Sequence, residues 1–209
     1  MRIMTGLALS VCMIVYSGAV YAAGPIDLAA EASVLSSYQF RGSPYNDDPV
    51  LQPSITAGYA GFSFNLWGNI DLTDFNDKEY SLNELDYTLA WTQSLPFGEF
   101  TAGAAIYSYP GVEGEETTTE LMAGFESNLP LNPSLTLFRD IDKADGMYAL
   151  LEAGGAIPTG TLASIDVSAS LGWGSQEHNV YYYEIPGLNG VFTDAAVTIG
   201  LPFGIGETF

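Results

Sequence analysis

Basic residues are the scarcest chemistry in this chain. Five Lys and Arg stand against 25 Asp and Glu in 209 residues, a formal charge of −20. Phosphate backbones are gripped by Lys and Arg, so this deficit excludes a nucleic-acid binder. Cysteine is nearly absent too: Cys12 is the one copy, which excludes a disulfide scaffold. Histidine occurs once, at His178, and no zinc spacing, phosphate-binding glycine loop or redox motif is present. After residue 22 no run of 18 apolar residues exists, so no transmembrane helix is expected. What is abundant is Gly (23), Tyr (13), Phe (11) and 47% hydrophobic residues, too much for an acidic disordered tail.

The first 22 residues have the form of a secretory leader. Arg2 opens it, Leu7–Val15 is a short apolar run, and Val20-Tyr21-Ala22 ends on a small residue. Cleavage after Ala22 is expected. Cys12 lies inside the apolar run behind bulky Val11 and does not fit a lipid-attachment site. Removing residues 1–22 leaves Arg41, Lys78, Arg139 and Lys143 against all 25 acids, a charge of −21, and no cysteine.

Beyond the leader, residues alternate with a period of two, which places one set on each face of a sheet. Phe62, Phe64, Leu66, Gly68, Ile70 and Leu72 oppose Ser63, Asn65, Trp67, Asn69 and Asp71. Ile165, Val167, Ala169, Leu171 and Trp173 oppose Ser164, Asp166, Ser168 and Ser170. Short Gly/Pro turns such as Gly58–Gly61 and Leu95–Gly98 alternate with mostly longer polar segments such as Thr73–Glu84 and Gly174–Gly190. This is the pattern of an up-and-down antiparallel transmembrane β-barrel in the bacterial outer membrane. Ten crossings are predicted, at about 27–40, 50–58, 62–72, 84–95, 99–109, 116–128, 133–139, 147–156, 161–173 and 190–201. Tyr38, Phe40, Tyr87, Trp91, Phe125 and Trp173 stand near strand ends as an aromatic girdle. Residues 23–209 therefore read as one barrel domain. The terminal Gly200-Leu-Pro-Phe-Gly resembles Ser94-Leu-Pro-Phe-Gly98, which is a turn leading into a further strand. This predicts a twelve-stranded whole of which the present sequence is a C-terminally truncated part. The other reading makes Phe209 a terminal aromatic of the kind such barrels carry.

Ser37-Tyr-Gln-Phe-Arg-Gly42, Asn46-Asp-Asp-Pro-Val-Leu-Gln-Pro53, Phe62–Asn69, Tyr107-Ser-Tyr-Pro-Gly111, Glu120-Leu-Met and Phe138–Gly146 resemble the TorF-like outer-membrane porin family. The resemblance is scattered over most of the chain after the leader. It implies an outer-membrane barrel, with no catalytic residue to carry over.

Alternation puts nine carboxylates on or beside the polar face: Glu31, Asp71, Asp86, Glu116, Glu120, Glu126, Glu152, Asp166 and Asp194. The four bases cannot neutralise them, and an unpaired carboxylate in a dry interior is very costly. They are expected to line an acidic, water-filled pore that favours cations. Asp140, Asp142 and Asp145, with Gly146, form a candidate calcium loop, although Leu151 stands where an EF-hand needs Glu. The competing reading is a polar hairpin turn at Asp145-Gly146. The acids of Asp71–Asp86 read as a solvated face, able to bridge to lipopolysaccharide through divalent ions. His178 has Ser175 and Glu177 beside it, but groups from one loop do not make a triad unless they converge in space. The function expected is passive diffusion of small cationic or neutral solutes, with no enzyme activity, no cofactor and no nucleic acid. Outer-membrane lipid, lipopolysaccharide and small solutes are the expected partners; the sequence carries no signal of oligomeric state. The alternatives are a non-conducting structural or adhesive barrel with cation-binding acidic loops, and a secreted β-sandwich binding protein.

Overall fold

The computed structural model describes residues 12–15, 25–77, 79–110, 112, 114, 116–159, 164–184, 187 and 189–202. Most of the leader, Lys78 and the terminal segment 203–209 lie outside the described residues. The fold is all-β. Its strands are Cys12–Val15 (β1), Asp27–Leu35 (β2), Tyr38–Phe40 (β3), Ser43–Asn46 (β4), Val50–Tyr59 (β5), Phe62–Asp71 (β6) and Leu82–Leu95 (β7). They continue with Gly98–Ser108 (β8), Thr118–Ser127 (β9), Ser134–Asp140 (β10), Met147–Pro158 (β11), Ser164–Gly174 (β12) and Val191–Gly200 (β13). One helix, Gln176–Tyr183 (α1), interrupts the last pair. Apart from the separate β3–β4 hairpin, sheet order follows chain order from β1 to β13, and among the described residues the two end strands do not pair, so the expected closure into a barrel is not seen. The ten expected long strands are present as β2 and β5 to β13.

Two expectations change. The segment 27–40 is not one strand: β2 stops at Leu35, and Tyr38–Phe40 pairs with Ser43–Asn46 as its own hairpin. The polar stretch Gly174–Gly190 contains α1, which the sequence does not announce.

The chain divides into two compact units. The first comprises Met1–Leu89 with Ile106–Thr117. Within it β2, β5 and β6 form an antiparallel run, and the register sorts the side chains cleanly. Glu31 faces Ser54, Ser54 faces Trp67, and Thr56 faces Asn65 on one face. Ala30 faces Ile55, Ile55 faces Leu66, and Ala57 faces Phe64 on the other. The apolar set is the exposed one: Phe62 is 54% and Ile55 58% accessible, whereas Asp71 is fully buried.

The β5–β6 turn is built by Ala60 and Gly61, with φ of 50° and 85°. Two left-handed central residues define the turn type whose twist matches paired strands. A Cβ in that region costs about 1 kcal/mol, which Asn relieves through its local hydrogen bonding. Ala60→Asn should therefore stabilise the protein by about 0.5–1 kcal/mol, read as a higher urea midpoint. An unchanged midpoint would show that the turn holds no such strain.

The second unit comprises Ala90–Ala105 with Thr118–Phe209. Strands β9 to β13 pair successively antiparallel. Ser134 lies between Glu126 and Glu152, Glu152 faces Ser170, and Asp166 faces Gly200 on the polar face. Leu137 lies between Ala123 and Ala149, and Val167 faces Ile199 on the apolar face. Here too the apolar face is open, with Val197 74% exposed.

Candidate functional site

Folding the β3–β4 hairpin over β5 and β6 builds the polar centre of the first unit. Tyr38 packs against Tyr45 at 5.3 Å and against Trp67 at 5.8 Å between ring centroids. It is buried, and so does not belong to an exposed girdle. Beneath it runs a ladder of amides. Gln52 Nε2 donates to Asn69 Oδ1 at 3.1 Å, and Asn69 Nδ2 donates to Asp71 Oδ1 at 3.1 Å and to Asn83 Oδ1 at 2.8 Å. Asn76 Nδ2 reaches the second oxygen, Asp71 Oδ2, at 2.9 Å. Asp71 thus accepts two amide hydrogen bonds in its buried place, and among the described residues no base pairs with it.

Tyr38, Tyr45, Asn46, Asn69, Asp71 and Glu84 lie around a cavity of about 350 Å³, together with Asn76, Asp77, Asn83, Tyr109 and Val112. Glu84 is buried beside Tyr38. Burial, then the charge of Glu84 and the hydrogen bond to it, hold the Tyr38 hydroxyl well above its usual range. It stays a proton donor to Glu84. The acids of Asp71–Asp86 are therefore not a uniformly solvated face: Asp71 and Glu84 are interior groups.

The second unit has its own polar cluster. The hydroxyl of Tyr148 donates to both oxygens of Asp194 at 3.0 Å. His178 is buried, stacked on Tyr148 at 5.1 Å and packed on Tyr182 at 4.5 Å. It is a packing residue of α1 and not an incidental loop histidine. Ser175 is the helix N-cap: its Oγ accepts the His178 and Met147 backbone N–H groups at 3.4 and 3.0 Å and donates to Glu177 at 2.8 Å. Glu177 is held below the usual carboxylate range by its own backbone N–H and by that hydroxyl. Ser175 thus caps the helix through the His178 N–H, and Glu177 accepts the cap hydroxyl.

The candidate calcium loop is organised differently from a metal site. Asp140 is buried, and its Oδ1 accepts the backbone N–H groups of Asp142, Ala144 and Asp145 at 2.9, 3.1 and 3.4 Å. Its Oδ2 accepts the Thr118 hydroxyl at 2.7 Å. Asp145 pairs with Arg139, and Asp142 is exposed. No group of three acidic, His or Cys side chains able to hold an ion occurs among the described residues. The loop is a turn organised on the Asp140 carboxylate.

The nine acids separate by depth. Asp71 and Glu120 are buried, Asp86 and Asp194 half-buried, and Glu31, Glu126, Glu152 and Asp166 exposed. Glu116 lies ahead of β9 and on no strand face. Sequence reasoning missed Glu84, Asn46 and Asn83 as site residues. Asparagine has no charge to count, and Glu84 stood at the end of what read as a loop.

The fold and these clusters define an all-β antiparallel protein with polar interior groups and apolar exposed strand faces. A family of bacterial proteins of unknown function, Gcw_chp, matches residues 19–130. The match covers more than half of the chain, which belongs to that family. No curated protein and no solved structure matches the chain.

Proposed function

We infer that the chain closes into an outer-membrane β-barrel and acts as a porin-like pore for small cationic or neutral solutes. One observation carries this reading: polarity is inverted in both units. Buried positions include Gln52, Asn69, Asp71, Glu84, Glu120 and Asp140, while Ile55, Phe64, Leu89, Leu137, Val197 and Ile199 are exposed. A water-soluble sheet protein places its apolar face inside. The inverse suits strands with lipid on one side and water on the other. The length of the strands, 10 to 14 residues in β5 to β8, suits a tilted bilayer crossing. Solutes would diffuse along the carboxylate-bearing face, with no chemical step. The acids set the sign of the local field and so favour cations. The TorF-like resemblance points the same way.

Purified protein in planar bilayers should give stepwise conductance, with a reversal potential in a KCl gradient of the sign set by K⁺. Replacing Glu126, Glu152 and Asp166 by Gln, Gln and Asn should move that potential towards zero. Anion preference would overturn the pore reading. Insertion without conductance would favour the non-conducting structural barrel.

A further inference from the structure

We propose that the cavity of the first unit is a binding site for a small neutral polyhydroxylated ligand of the carbohydrate type. The observation behind this is Asn46, which lines the cavity and is only 1% exposed. Its Oδ1 accepts the Asp48 backbone N–H at 2.8 Å. Its Nδ2 is buried and has no hydrogen-bond partner among the described residues. Buried amide groups are nearly always satisfied, so a donor left open beside a cavity calls for an oxygen to enter it.

The rest of the wall narrows the ligand. Asp77 is exposed at the wall, and its carboxylate oxygens can take up hydroxyl donors. Asp71, Asp77 and Glu84 stand around the cavity, and this concentration of carboxylates disfavours anions. An ammonium group or a bare cation could answer the carboxylates, but it brings only donors or none and leaves Asn46 Nδ2 unanswered. Adjacent hydroxyls supply both needs, because each donates once and accepts twice. Tyr38, Tyr45 and Tyr109 add ring surface against which the C–H faces of a sugar can lie. About 350 Å³ is at the small end of the roughly 300–1,000 Å³ range of small-molecule sites, the scale of a mono- or disaccharide.

The inference does not rest on conduction, since binding is measurable on protein in detergent micelles that carries no current. Titration calorimetry of the full chain with glucose and with maltose should give saturable binding of at least one of them. Ethanolamine, a cation of similar reach, should give none. Asn46→Asp keeps the acceptor for Asp48 and replaces the open donor with an acceptor. Burying a carboxylate there costs stability, so circular dichroism is the check on folding, and a folded Asn46→Asp protein should lose about tenfold or more in sugar affinity. Should Asn46→Asp fail to fold, Tyr109→Leu, which keeps the wall apolar but removes the ring, should weaken sugar binding severalfold. No heat with either sugar, ethanolamine binding in their place, or equal sugar affinity in the wild type and a folded Asn46→Asp protein would each overturn the proposal.

Discussion

Gly146→Ala should release helix α1. A Cβ on Gly146 would overlap the backbone nitrogen of His178 and lie 2.7 Å from its Cα. Both are main-chain atoms of a capped helix and cannot swing aside as a side-chain tip can. Overpacking of this kind costs roughly 1–3 kcal/mol, and each aromatic pair lost adds about 0.5–1.5 kcal/mol. His178 makes such a contact with Tyr148 of β11, while its contact with Tyr182 lies within α1. The expected sum is about 1.5–4.5 kcal/mol, taken up by undocking α1 and not by unfolding the sheet. Hydrogen exchange should show the amides of Gln176–Tyr183 losing protection while those of β11 and β12 keep theirs. Gly155→Ala is the control, because its nearest neighbour, a Leu131 methyl, is 4.0 Å away. Equal protection of α1 in Gly146→Ala and wild type would show that the helix is not held by this close approach.

Leu137→Arg should abolish stable insertion into lipid, whereas Ser134→Arg on the same strand should be accepted. Leu137 lies on the apolar face of β10, and with Phe100, Phe125, Leu135 and Leu151 it walls a shallow apolar depression. An arginine facing the bilayer midplane costs about 2–4 kcal/mol. Ser134 lies on the opposite face between Glu126 and Glu152, so an arginine there enters a field of two carboxylates. A soluble sheet protein would accept Leu137→Arg, since the position is already 42% exposed and surface changes usually stay within about 0.5 kcal/mol. Folding into lipid vesicles, followed by heat-modifiable mobility on gels, separates the two. Equal folding of Leu137→Arg and wild type in vesicles would sink the membrane reading.

How far the fold could be read in advance depended on whether a signal was local. The period of two is set by backbone geometry alone, and it located β2 and β5 to β13 to within a few residues. It failed at Leu35, because Tyr38-Gln39-Phe40 continues the same alternation and Ser36-Ser37 carries no proline or glycine to mark a break. It failed again at Gln176–Tyr183. That helix is short and has no strong apolar stripe; what holds it is the Ser175 cap and the packing of His178 and Tyr182. Docking of that kind is a tertiary effect that helix propensity does not carry.

The candidate site shows the same division. The polar face of each strand follows from the sequence, because side chains alternate about an extended backbone whatever the rest of the chain does. So does the excess of acids over bases, which follows from composition. Which acids leave water was decided only by the tertiary structure. Asp71 and Glu31 have the same strand parity logic, yet Asp71 is fully buried and Glu31 is exposed. The difference is the β3–β4 hairpin, whose Tyr38 packs on Trp67, and Gln52 of β5, which holds Asn69 where its amide reaches Asp71 on the same strand. Burial depends on contacts between residues distant in sequence. A count of charges sets the sign of the field, and the fold alone sets where that field is strongest.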